Sequence, residues 1–296
     1  MKFVDPKNDI AFRKIFGTNQ KKEILISFLN AVLAFEGDKR ILDLTIQNPY
    51  QSPQTEDLKN TILDIKAINE AGEEFIVEMQ KKNLGDFAKR SLYYTSKAYV
   101  NQLEKNVGYS LLKKVYFVGI VDFILFDNQN YISKHMMINQ ENGKQDIKDF
   151  ELYFIELQKF NIDIKKLNTI LDKWVYFIKN ASNLECVPDE FSQNYEIKEA
   201  FDIAEEHCWN KDELDAYTKI RMKIMDDINA LETATKIGLE KGIEIGVEQG
   251  KVEGKLEGEK QAKIEMAKNS LAIGLDIKTV AKLTSLSESE IEEIIC

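Results

Sequence analysis

Two carboxylates and an amide stand at positions suited to holding a metal ion. Residues 60–69 and 74–81 alternate apolar and polar side chains, the pattern of two half-buried strands. Glu70-Ala71-Gly72 between them is turn chemistry, so a hairpin is expected. If Ala71 is its centre, residues equidistant from it face each other across the hairpin, and Asp64 faces Glu78. Facing carboxylates repel and destabilise a sheet. A bound divalent cation offsets that repulsion, because hard cations take carboxylate oxygens. Gln80 shares the face of Glu78, where its amide can orient a water or contact a phosphate. The other reading is a solvated hairpin face carrying ordinary polar residues, and a one-residue slip in register would separate the two acids.

The elements that must position this face follow from periodicity. Residues 9–35 read as two helices broken at Gly17-Thr18-Asn19, with Ile10, Phe12, Ile15, Phe16, Ile24, Leu25, Phe28, Leu29 and Val32 as their apolar stripe. Residues 39–46 read as a short strand and 48–55 as a loop. Residues 87–103 read as a helix carrying Lys89, Arg90, Tyr93, Tyr94, Lys97 and Tyr99. Further strands are expected within 111–126 and 150–157, then mostly helix over 161–229. The order of helix, three strands, helix, strand implies an α/β or α+β core with a mixed sheet.

Bulk properties narrow the class. The chain has 296 residues, 44% hydrophobic and 30% charged, as in ordinary globular proteins. The net charge of -10 argues against coating with nucleic acid through bulk electrostatics, though not against a local basic groove. The three cysteines, Cys186, Cys208 and Cys296, are too scattered for a disulfide framework or a zinc site, which points to a reducing, cytoplasmic setting. His135 and His207 have no partner spacing. The start shows no apolar leader, and the longest apolar run, 115–126, is shorter than the ~20 residues a membrane span needs. No membrane partner is expected.

The tail differs in kind. Gly238, Gly242, Gly246, Gly250, Gly254 and Gly258 stand four apart among Glu and Lys. Glycine costs about 1 kcal/mol per position inside a helix, yet a free linker has no reason to keep strict spacing. The regular stripe favours a helix packed closely on a second copy of the chain, over a flexible charged spacer. Short helices are expected over 264–273 and 277–283, with Gly274 as a cap between them and Ser287 starting a further turn.

A family resemblance runs through these residues. Leu63-Asp64-Ile65 followed by Glu78-Met79-Gln80 resembles the catalytic signature of the PD-(D/E)XK nuclease superfamily. Asn8-Asp9-Ile10-Ala11-Phe12-Arg13-Lys14-Ile15-Phe16-Gly17, Lys59, and Lys89-Arg90-Ser91-Leu92-Tyr93-Tyr94 with Tyr99 are similar to the Rpn group, the recombination-promoting nucleases also described as PD-(D/E)XK transposases. The resemblance covers residues 5–130 well. It implies an αβββαβ core flanked by helices with a helical C-terminal extension. It also implies metal-dependent cleavage of DNA phosphodiester bonds at low sequence specificity, linked to recombination or transposase-like activity.

In that reading Asp64 and Glu78 hold Mg²⁺, or Mn²⁺ or Ca²⁺ in its place. Asp9 resembles an extra acid from the first helix, or is a plain N-cap. Gln80 stands where the motif usually has lysine, and Lys66 on the neighbouring strand is offered as the replacement cation. Lys89 and Arg90 are expected at the DNA backbone, with Tyr94 beside Arg90. The resemblance implies a nuclease domain over 1–230, the glycine-spaced helix or linker over 231–263, and a small helical tail over 264–296. That tail resembles helix-turn-helix tails, but Glu288, Glu290, Glu292 and Glu293 favour a protein contact there. The alternative is an inactive DNA-binding or interaction module that keeps the fold.

Overall fold

In a computed structural model, which describes residues 2–48, 50–51, 61–83, 85–103 and 108–295, the chain begins its regular structure at Asn8. The Asn8 side chain accepts a hydrogen bond from the Ile10 amide at 3.0 Å and caps α1 (Asp9–Phe16). Gly17 ends that helix, where a Cβ would lie 2.6 Å from the Arg13 carbonyl oxygen. α2 (Lys22–Leu33) follows, so residues 9–35 do form two helices joined by a turn.

β1 (Leu44–Gln47) then pairs antiparallel with β4 (Ile65–Asn69), and β4 with β5 (Glu74–Gln80). A separate two-residue ladder, β2 (Tyr50–Gln51) with β3 (Thr61–Ile62), precedes β4. Lys59 and most of the 48–55 loop lie outside the described residues. The hairpin register pairs Ile65 with Val77 and Ala67 with Phe75, each equidistant from Ala71. Gly72 takes φ +82° in the turn, a left-handed conformation that glycine adopts without steric cost. The single strand expected over 60–69 is broken at Leu63-Asp64, for a reason given below.

α3 (Phe87–Val100) carries the chain across to β6 (Val115–Val121), which runs parallel to β5. β8 (Phe150–Glu156) extends the parallel set, and β7 (Ile132–Met136) closes the edge antiparallel to β8. The sheet order is β1-β4-β5-β6-β8-β7. β6 is buried along its whole length, as a strand covered on both faces must be. One face packs on α1, α2, α4 (Ile170–Asn180) and α5 (Tyr195–Ala204), with Trp174 against Phe16 and Phe28 at its centre. The other face packs Leu63, Ile76 and Phe117 under Phe87 and Ala98 of α3. This is the expected α/β fold, a mixed sheet flanked by helices.

β7 was not anticipated. Its residues are exposed or half-buried, so no alternating pattern marks it. The same edge position spares it the two-sided burial that makes β6 legible.

The chain divides into two units, Met1–Met222 and Lys223–Cys296. α6 (Lys211–Ala272) is one continuous helix of 62 residues that includes the whole glycine series. The residues expected as a separate helix over 264–273 are the end of α6. Gly274, at φ +92°, follows it. α7 (Ile277–Thr284) is capped by Asp276, and Ser287 and Glu290 exchange hydrogen bonds at the start of α8 (Glu288–Ile295), the capping-box pattern. Val280, Leu286 and Ile291 enclose a small core with Ala267.

Candidate metal centre

The break at Leu63-Asp64 is made by the two acids themselves. The Asp64 amide donates to Glu78 Oε1 at 3.1 Å, and the Met79 amide donates to Asp64 Oδ2 at 2.9 Å. Each carboxylate thus takes a backbone N–H from the opposite arm of the hairpin. The backbone ladder stops one residue short, at Ile65–Val77, and the side chains continue it. Both acids are fixed in orientation and largely buried, with the Asp64 side chain 9% exposed and Glu78 9% exposed.

Burial makes this arrangement electrostatically costly. It pushes the Glu78 carboxyl up to about 8, and the Asp64 charge adds to the rise. Asp64 is also raised, first by burial, while the Met79 amide and Arg13 oppose the rise and the charge of Asp9 adds to it. Asp9, one turn before Arg13 on α1, is itself raised by desolvation. The capping role falls to Asn8, which leaves Asp9 at the first helical position with its carboxylate coupled to Asp64.

Asp64 and Glu78 thus lie together across the hairpin and Asp9 is near enough for Asp64 to feel its charge, but among the described residues these three acids do not bring one oxygen each within 4.8 Å of one another. Carboxylate oxygens are the donors a hard divalent cation takes, and burial is the first cause that raises all three carboxyls.

Gln80 does not point freely into solvent. Its Oε1 accepts from Arg90 Nη2 at 2.7 Å and its Nε2 donates to the Lys82 carbonyl at 3.1 Å. The amide thereby aims a guanidinium toward Glu78, where the Arg90 charge lowers the carboxyl pKa against burial. Arg90 also lies over the Phe87 ring, 5.3 Å from its centroid, and among the described residues its buried Nε has no hydrogen-bond partner. Gly119 makes room for that ring: a Cβ there would lie 2.9 Å from the Phe87 edge. Tyr94, one turn beyond Arg90, is near enough to both acids for their charges to raise its phenol, after burial itself.

Lys66 and Lys89 are placed differently. Lys66 pairs with Glu74 at 2.9 Å, toward the far end of β5. Lys89 is exposed and pairs with Asp86 at 3.2 Å.

Arg13 was quoted in the sequence only as part of an opening string. Its Nη2 lies 3.0 Å from Asp64 Oδ1 and 3.4 Å from the Leu63 carbonyl. The available signal was its spacing from Asp9, four residues along one helical face. Gly119 gave no signal, because its need arises from a ring on another element.

His207 does have neighbours, with Glu205 at 3.1 Å from Nδ1 and Cys208 at 3.5 Å from Nε2. Among the described residues Glu205, His207 and Cys208 are the trio of possible metal ligands whose donor atoms lie within 4.8 Å of one another, a grouping that the sequence spacing did not announce. Cys186 and Cys208 are free and exposed. Among the described residues no helix is long and apolar enough to cross a membrane.

No curated protein and no solved structure matches the chain significantly. Residues 260–295 match the family described as Rpn/YhgA-like nuclease family, C-terminal HTH domain. Residues 6–234 match the PD-(D/E)XK nuclease family transposase family, a span that holds Asp9, Asp64, Glu78, Gln80 and Arg90. On that match over most of its length, the chain belongs to the PD-(D/E)XK nuclease family transposases.

Proposed function

We propose that this protein is a divalent-metal-dependent endonuclease that cleaves DNA phosphodiester bonds with low sequence specificity, in a recombination or transposase-like setting. The observation that carries the reading is the reciprocal anchoring of Asp64 and Glu78. Two buried acids are held level by backbone amides and lack full charge compensation. Asp64 and Glu78 are the metal carboxylates, with Asp9 as a third acid. A Mg²⁺-type ion bound there would polarise the phosphate and acidify a water.

The chain's own residues do the rest. The hairpin amides hold the carboxylates in place without a reorganisation cost on ion binding. Gln80 positions Arg90, which supplies the positive charge that the motif lysine would otherwise bring. Lys66 is engaged with Glu74, so this role passes to α3. Lys89 and Arg90 meet the DNA backbone, and Tyr94 shields the acids. The C-terminal helices assist DNA engagement, and the glycine stripe of α6 pairs with a second copy of the chain.

Gln80 in the lysine position also supports a second reading, an inactive DNA-binding module with the nuclease fold. Supercoiled plasmid incubated with Mg²⁺ separates the two. Nicking by wild type that Asp64→Asn abolishes is expected. No nicking, or nicking that Asp64→Asn leaves unchanged, defeats the nuclease reading.

A further inference from the structure

Asp64 divides its two oxygens between different tasks. Oδ2 accepts the Met79 amide and belongs to the scaffold. Oδ1 is the oxygen left to face an ion, and Arg13 Nη2 stands 3.0 Å from it. The Arg13 side chain is 43% exposed while that of Asp64 is 9% exposed, so the guanidinium lies between the buried acid and water. It is tethered by its long stem to the rigid first helix, one turn after Asp9.

A guanidinium and a divalent cation on one carboxylate oxygen compete for it. Their charges repel, and each needs the lone pairs that face outward. An ion entering the site therefore weakens the hold of Asp64 on Arg13. The guanidinium keeps its charge at every accessible pH and stays within reach of the site. The anion that a nuclease brings there is a phosphodiester, whose two unbridged oxygens match the planar fork of a guanidinium.

We propose that Arg13 is an exchangeable counter-ion. It neutralises Asp64 when no metal is bound, and on metal entry it is released to bind the DNA phosphate. The inference rests on the metal-nuclease reading and deepens it. Metal and DNA binding become coupled through one side chain, and linkage makes the coupling reciprocal. The metal removes the acid that holds Arg13, and the phosphate removes the guanidinium that blocks the metal.

The test uses the full chain and its Arg13→Gln and Arg13→Lys variants, with thermal unfolding to confirm that each is folded. Calorimetry measures Ca²⁺ binding without DNA, and fluorescence anisotropy measures binding of a labelled duplex in Ca²⁺ and in EDTA. Arg13→Gln is expected to bind Ca²⁺ about tenfold more tightly, because its competitor is gone, and to bind DNA about tenfold more weakly in Ca²⁺ only. Arg13→Lys should return both values toward wild type.

Unchanged or weaker Ca²⁺ binding by a folded Arg13→Gln overturns the exchange. So does an equal loss of DNA affinity in Ca²⁺ and EDTA, or no loss in either. A wild-type chain that binds no Ca²⁺ defeats the nuclease reading itself, and the exchange with it.

Discussion

Glu78 gives the most direct residue-scale prediction. Its carboxyl titrates near 8 in the fold against 4.5 when free. The folded state thus holds more protons than the unfolded state between those values, and stability falls as pH rises through that window. The contribution is fully present below about 4.5 and lost as pH passes about 8. Asp64, also raised, acts in the same direction. Melting temperature in EDTA should therefore decline from pH 5 to pH 8, and Glu78→Gln should flatten the decline. Added Mg²⁺ should raise the melting temperature more at pH 8 than at pH 5, with proton release on binding seen in buffers of different ionisation heat. A Mg²⁺ effect independent of pH would contradict the site. Gln80→Ala should lower the cleavage rate about tenfold with metal affinity unchanged, because it frees Arg90 rather than removing a ligand. Loss of metal affinity in that variant would show that Gln80 itself binds the ion.

At the scale of elements, the hairpin shows what a sequence discloses. Its register was legible because Gly72 marks the turn and the alternation on both strands fixes which residues face each other. The interruption at Asp64 was not legible. Alternation describes side-chain direction and is silent on which backbone amides a side chain captures. β7 lacked any pattern because its side chains are half-buried or exposed at the sheet edge. Arg13 reaches Asp64 from another element; its four-residue spacing from Asp9 marks a shared helical face but not the residue it meets. The seat of α3 depends on Gly119 in the same way. A methyl there drives Phe87 from β6, so Gly119→Ala should cost about 1–3 kcal/mol in denaturant unfolding. It should also reduce cleavage beyond that loss, since Arg90 rides on the same turn. Wild-type rate in a folded Gly119→Ala would separate Phe87 from the site.

At the scale of the molecule, the glycine series lies within one helix, the reading its strict spacing favoured over a flexible charged spacer. Among the described residues, and apart from the helix's own nearby backbone and chain neighbours, nothing lies within 4 Å of a Cβ built at any glycine from Gly238 to Gly258. Leu239, Ile243 and Val247 are exposed beside them. Six glycines in an unsupported helix would cost roughly 6 kcal/mol, a cost that the proposed packing on a second copy would offset. Gly246→Leu with Gly250→Leu should shift the protein toward monomer in light scattering, although leucine is the better helix former. A mass unchanged by this pair of substitutions would show that the stripe is not the contact.

The exchange of amides between Asp64 and Glu78 has a consequence for how such proteins decay. The acids are joints of the hairpin as well as the proposed ligands, so a lineage without cleavage would still gain from keeping them. Asparagine at position 64 retains an acceptor for the Met79 amide, whereas alanine leaves that amide without one. The two acids alone therefore report that the fold is intact. On the proposed function, whether a copy still cuts would be written in Arg90, whose hydrogen bond goes to the Gln80 side chain and which selection for folding has less reason to preserve.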